Sequence, residues 1–212
     1  MGEEPLLWSE FSPALYKLNV ELLTDEGTDN QLVDFGMKSF GVKGTQFTIN
    51  GKTTFLRGKH DGCVFPLTGY PSTEVTDWLE QFRIAQRYGI NHIRFHSWTP
   101  PVAAFKAADI AGVYLQPELP FWGTMDAKNT SLNQCLLHEG EQLLKEYGNS
   151  PSFTMMALGN ELNGDINLMR RLVNHFRSMD NRHLYSFGSN NNLGTAGEQA
   201  GEDFFVTCRV GR

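Results

Sequence analysis

The apolar positions along the chain divide it into two unlike parts. Leu15-Tyr16-Lys17-Leu18-Asn19-Val20-Glu21-Leu22 alternates apolar with polar, the mark of a strand with one buried face. A polar turn cluster at 24–30 separates it from a second extended run at 32–42. A single hairpin buries too little surface to stand alone, so this stretch reads as the tail end of a β domain. Further along, strands alternate with helices. Asn50-Gly51 signals a hairpin between runs at 47–52 and 53–58. Ser72 or Thr73 caps a helix whose Val75, Trp78, Leu79, Phe82 and Ala85 follow the 3.6-residue period, and Gly89 closes it. Further helices are predicted from Pro100-Pro101 to Gly112, over 132–147 and over 166–179. Strands are predicted at 91–98, 113–119, 153–158, 183–187 and 204–210.

Strands and helices that alternate at this spacing make βα units and a parallel sheet. About six such strands fit the chain, whereas a closed (β/α)8 barrel needs eight. An open doubly wound sheet would carry a Gly-rich phosphate turn, and neither G-x-G-x-x-G nor G-x-x-x-x-G-K-[ST] occurs. The expected fold is therefore α/β: an incomplete TIM-barrel-type domain over 44–212, preceded by the tail of a β-sandwich over 1–43.

Composition narrows the function. Twenty-four acidic against eighteen basic residues, with no basic run, argue against a phosphate-driven nucleic-acid binder. No apolar stretch approaches the ~20 residues of a membrane span, and the first residues show no signal-peptide pattern. Cys63, Cys135 and Cys208 form no C-x-x-C pair and read as small buried hydrophobes rather than a disulfide or zinc framework. Fifteen Phe and four Trp fit either a large core or a sugar-stacking cleft. No G-x-S-x-G elbow is present, and the single imidazole of Lys59-His60-Asp61 falls short of a metal-dependent hydrolase's H-x-H.

In βα folds, functional side chains gather where strands end. Those ends carry Arg57, His60 and Asp61; Arg94, His96 and Trp98; Glu118 and Trp122; Asn160 and Glu161; and residues 189–192. Carboxylates and amides bind hydroxyls, and Trp faces stack on sugar rings, so this set suits a polyhydroxylated ligand. The sharpest signal is Ala157-Leu158-Gly159-Asn160-Glu161-Leu162, an apolar strand that ends abruptly in an amide and a carboxyl.

Here the sequence resembles glycoside hydrolase family 2, the β-galactosidase, β-glucuronidase and β-mannosidase group of clan A. Trp8-Ser9 with Pro13-Ala14-Leu15-Tyr16 resembles the family's W-S-x-x-x-P-x-L-Y segment, and Phe35-Gly36-Met37-Lys38 its F-G-[FM]-R. Asn50-Gly51-Lys52 through Leu56-Arg57-Gly58, Asn91-His92-Ile93-Arg94, Asp109-Ile110-Ala111-Gly112 and Asn149-Ser150-Pro151-Ser152 resemble its barrel motifs, in family order. The resemblance implies an immunoglobulin-like sandwich before the barrel and a retaining exo-glycosidase acting on terminal β-linked sugars.

It also implies roles. Glu161 matches the general acid/base, Asn160 the residue that binds the sugar 2-hydroxyl, and Arg94 an arginine beneath the catalytic carboxylates. His60, Asp61, His96, Trp98, Glu118 and Trp122 are expected to bind substrate, and Asn190 or Asn191 could reach it. No cofactor is expected, although the resemblance allows a magnesium or other divalent ion near His60 and Glu118. The nucleophile, a glutamate ending the seventh strand in the family, has no counterpart here. The alternative is a noncatalytic carbohydrate-binding module with a glycosidase-like rim. The partner is an oligosaccharide or glycoside, and the unpaired edge of a partial barrel predicts homo-oligomers.

Overall fold

The computed structural model describes residues 4–191 and 199–206. It opens with an antiparallel hairpin of β1 (Tyr16–Thr24) and β2 (Gly27–Phe35), followed by an antiparallel sheet of β3 (Phe40–Lys43), β4 (Gln46–Ile49) and β5 (Lys52–Thr54). Then come β6 (Gly58–Asp61), α1 (Val75–Arg87), β7 (His92–Phe95), α2 (Val102–Ala111), β8 (Tyr114–Gln116), β9 (Trp122–Met125) and α3 (Thr130–Tyr147). The chain continues through β10 (Met155–Ala157), β11 (Asn160–Gly164), α4 (Ile166–Met179) and β12 (Leu184–Ser186).

β6, β7 and β8 pair in parallel. Parallel bridges Leu115–Phe153 and Glu118–Ala157 join β10 to β8, and β12 pairs with β10. The sheet thus runs β6-β7-β8-β10-β12, each strand beside its predecessor and separated from it by helix, with Ser189–Val206 a further bridge beyond β12. The last predicted strand is described only to Val206, and Cys208 lies outside the described residues.

Packing explains the helices. α1 buries Trp78, Phe82 and Ala85, and α4 buries Leu168, Met169, Leu172, Val173 and Phe176. Asn129 and Asp165 accept from the backbone N–H three residues on, capping α3 and α4. Gly140 lets α3 approach α4, since a Cβ there would lie 2.3 Å from the Phe176 ring. The predicted cap of α1 is corrected: Glu74 holds that place, and the Ser72 hydroxyl instead accepts from Glu74 N and donates to Asp77. Cys63 and Cys135 are exposed rather than buried: Cys63 lies in the loop after β6, and Cys135 is not among the residues α3 buries.

The N-terminal segment is stitched to the sheet. Trp8 is fully buried, donates through Nε1 to the Asp109 carbonyl and meets Tyr114 edge-on. Glu10 accepts from Asn91 at 2.7 Å, Thr54 at 3.2 Å and Arg57 at 3.3 Å. Arg57 therefore sits before β6, at the end opposite the strand tips where the sequence placed it. The β1–β2 hairpin differs from expectation: Leu18, Val20, Leu22 and Leu32 are exposed, because no second layer covers them among the described residues.

Asp109 accepts from the Ser150 hydroxyl at 2.6 Å and from Ser152 N at 2.8 Å. Burial pushes its carboxyl up from 3.8 to about 6, against those hydrogen bonds and the nearby Lys38 ammonium. The folded chain then holds this proton more tightly than the unfolded chain, so the group costs stability as pH rises from about 4 to about 6. Relative to the parent, Asp109→Asn should gain roughly 3 kcal/mol across that window, read from urea midpoints at each pH.

Candidate active site

The C-terminal strand ends bring most of the candidates together. Arg94, on β7, binds Glu118 with both arms of its guanidinium, Nε to Oε1 at 2.7 Å and NH2 to Oε2 at 3.0 Å. The same NH2 donates to Asn160 Oδ1 at 2.8 Å. Ser97 N donates to Glu118 Oε2 at 2.8 Å and the Ser189 hydroxyl to Oε1 at 2.7 Å. Glu118 is 0% exposed and each of its oxygens accepts two donors. Its expected contact with substrate is therefore corrected: it is a buried brace tying the ends of β7, β8 and β12 together. A divalent ion does not fit at this carboxylate, whose lone pairs are taken and whose neighbour is a guanidinium. Among the described residues no three His, Cys, Asp or Glu side chains converge to hold a metal.

Above the brace lies Glu161, the first residue after Asn160. Its backbone φ is +50°, a left-handed conformation uncommon for a side-chain-bearing residue. Gly159 makes the turn, with φ +141° and a position where a Cβ would lie 2.1 Å from the Phe121 carbonyl. Only glycine allows that approach, which lets Phe121 O accept from Asn160 N at 3.1 Å. The register between β11 and β9 shifts between Asn160 and Asn163, so the two residues break the regular pleat. Ser97 (φ +56°) and Asn190 (φ +54°) share this conformation, so three of the five left-handed non-glycine residues among the described residues meet here. Such strain clusters where function over-determines the backbone.

Both oxygens of the Glu161 carboxyl accept hydrogen bonds: Oε1 from Asn190 Nδ2 at 2.9 Å, Oε2 from Trp122 Nε1 at 3.1 Å. Asn191 turns elsewhere, its Oδ1 accepting from Leu162 N at 2.9 Å. A row of rings leads away from the carboxyl, Trp122 to His96 and His96 to His60, each pair edge-on with centroids 5.0 Å apart. Desolvation, then the nearby His96 and Arg94, pushes His60 below its ordinary value.

Two candidates stand apart from the cleft. Trp98 donates its only N–H to the Asp61 carbonyl at 3.2 Å and packs edge-on to Phe95 and Phe65, so it belongs to the core rather than the binding surface. The Asp61 carboxylate is held by Lys59 Nζ and Cys63 N, both at 3.1 Å. Sequence reasoning missed Ser97, and it placed Ser189 at a strand end without a role; both carry no motif of their own and act through Glu118. It also gave no sign of His92 and Gln116, buried on the sheet with His92 Nε2 and Gln116 Nε2 unpartnered among the described residues.

No protein-family profile matches the chain. Over 167 residues it is 26% identical to a β-galactosidase of Oenococcus oeni, covering 75% of this chain and 16% of that protein. Over 199 residues it is 24% identical to the β-glucuronidase of Mus musculus, covering 88% of this chain and 30% of that one. A solved glycosyl hydrolase family 2 member from Bacteroides cellulosilyticus shares the fold, with TM-score 0.75 and 20% identity over 87% of this chain and 26% of its own. The chain is thus similar in sequence to segments of a β-galactosidase and a β-glucuronidase, and in fold to a glycosyl hydrolase family 2 member. It spans less than a third of the length of each of these relatives.

Proposed function

We propose that the chain is the acid/base-bearing part of a retaining β-glycosidase that removes a terminal β-linked sugar, of the galactoside or glucuronide kind its relatives' names carry. The observation that supports it most is Glu161 itself: a carboxyl at a strand tip, beside an amide, on strained backbone, above a buried Arg94–Glu118 brace. In this reading Glu161 protonates the glycosidic oxygen, then as carboxylate activates water against the covalent glycosyl intermediate. Asn160 has its Oδ1 fixed by Arg94, which reserves its amide N–H for the sugar 2-hydroxyl.

The retaining mechanism needs a second carboxylate ~5–5.5 Å from the first. The strand-tip acids Asp61 and Glu118 are already engaged, so we assign the nucleophile to a strand outside the twelve described. The sheet order β6-β7-β8-β10-β12 is the neighbour-by-neighbour order of a (β/α)8 barrel, and it supports this reading. The preceding sandwich would end with the β1–β2 hairpin, because β3 pairs with β4 across the expected 43/44 boundary. The unpartnered His92 and Gln116 nitrogens would gain acceptors from the closing strands. The exposed apolar face of β1–β2 would pair with the sandwich's other layer, or, in the isolated chain, with a second copy.

The test compares p-nitrophenyl β-galactoside and β-glucuronide as substrates of this chain and of the longer polypeptide containing it. The longer protein should release the sugar first as its β-anomer, seen by proton NMR, while the chain alone binds without turnover. Sugar binding by the longer protein with no hydrolysis would instead favour a carbohydrate-binding module. Turnover by the chain alone would place the nucleophile within it.

A further inference from the structure

Glu161 is held from two sides, and the two holds differ in kind. Asn190 reaches Oε1 from the tip of β12, its backbone fixed in the left-handed region, and its N donates to the Val206 carbonyl. Trp122 reaches Oε2 from β9, whose backbone is locked to Glu161's own segment by the Asn160–Trp122 pairing and by the Asn160 N–H on Phe121 O. Trp122 is nonetheless 60% exposed as a residue, with the His96 ring edge-on at 5.0 Å. A large aromatic side chain whose only polar atom is spent on one carboxylate oxygen, and whose ring faces solvent, has no packing reason to be there.

We infer that Trp122 is a positioning residue for Glu161 whose N–H holds Oε2 through one lone pair and leaves the rest of that oxygen to face the leaving-group oxygen of the substrate, while Asn190 keeps Oε1 fixed. This inference rests on the reading of Glu161 as the acid/base. It follows that the aglycone enters over the Trp122 ring, beside His96, and that the side chain sets how well Glu161 meets a poor leaving group. Trp122 bonds to Glu161 and to no reacting atom of the substrate. Its contribution is to remove the other rotamers of a carboxyl that would otherwise swing in an open cleft.

Two measurements test it. In the 212-residue chain, the indole N–H resonance of Trp122, assigned by its loss in Trp122→Phe, should shift in Glu161→Gln and shift again on adding p-nitrophenyl β-galactoside or β-glucuronide. An indole resonance indifferent to Glu161→Gln would overturn the contact. In the longer polypeptide, kcat/KM of Trp122→Phe should fall increasingly as the leaving group worsens across a series of aryl and alkyl glycosides, about tenfold at the poor end, the order of the rotamer freedom the freed Glu161 side chain regains. Asn190→Ala should steepen the same dependence, so that misfolding of one variant leaves the other to decide. A uniform loss across the series would reduce Trp122 to a structural role and sink the inference. If Glu161→Gln itself keeps its rate on poor leaving groups, the reading of Glu161 fails instead, and the two failures are told apart.

Discussion

Arg94→Met should cost the fold about 3–5 kcal/mol, because it leaves the Glu118 carboxylate buried without its cation. Glu118 is 0% exposed, and its remaining donors are one backbone N–H and one hydroxyl. Neither offsets the charge, and natural domains are stable by only about 5–15 kcal/mol in total. Methionine keeps most of the arginine stem's volume, so the loss reports the ion pair more than a cavity. The double variant Arg94→Met/Glu118→Gln removes the stranded charge; its amide oxygen can accept from Ser97 N while its NH2 donates to the Ser189 hydroxyl oxygen, which turns from donor to acceptor. It should therefore recover well over half of the lost stability. Urea unfolding of the parent, both single variants and the double closes the cycle. A single-variant loss under about 1 kcal/mol would mean that the brace is a wet, exposed pair and not the foundation of the cleft.

That brace marks the boundary of what the linear pattern could reveal. The amphipathic helices were legible because one buried stripe dictates their period: α4 runs Ile166–Met179, as the spacing of Met169, Leu172, Val173 and Phe176 requires. Strand ends ran short of their apolar runs, since 113–119 pairs as a strand only over Tyr114–Gln116 before the chain turns to Glu118. β9 and β11 were invisible, because Trp122–Met125 and Asn160–Gly164 carry no period-two alternation and form by pairing with each other across a register shift. The hairpin misled in the opposite way. Its alternation is clear, but the face it marks is exposed here. A pattern states which side wants cover, never whether cover is present.

At the cleft, residue type located Glu161 and Asn160, because Gly-Asn-Glu interrupts an apolar strand. Type alone could not separate Glu118 from Glu161. Both are strand-tip glutamates, and only the bonds around them differ: four donors including a guanidinium on one, two neutral N–H groups on the other. Trp98 and Trp122 divide in the same way, one closed in by Phe65 and Phe95, the other open beside His96.

That difference between the two glutamates is what makes Glu161→Gln the decisive substitution. The amide keeps the shape, and its oxygen can still accept from Asn190 or Trp122, so the φ of +50° and the fold around it should survive. What it cannot do is give or take a proton. In the longer polypeptide, kcat/KM on a glycoside with a poor leaving group should fall by about 10²–10⁴, the usual share of general acid catalysis. On a dinitrophenyl glycoside, whose leaving group needs little protonation, the fall in kcat/KM should be far smaller. There the glycosyl intermediate should build up, since no base activates the water that clears it, and a burst of released phenol should precede a slow steady state. Added azide, an anionic nucleophile that needs no base, should restore turnover in Glu161→Ala and yield the β-glycosyl azide. Equal losses on both substrates, with no burst and no azide product, would assign the carboxyl to binding alone. Glu118→Gln gives the contrast. A buried group bonded only to protein should leave the leaving-group dependence as it was and lower stability instead, because its chemistry is spent on Arg94.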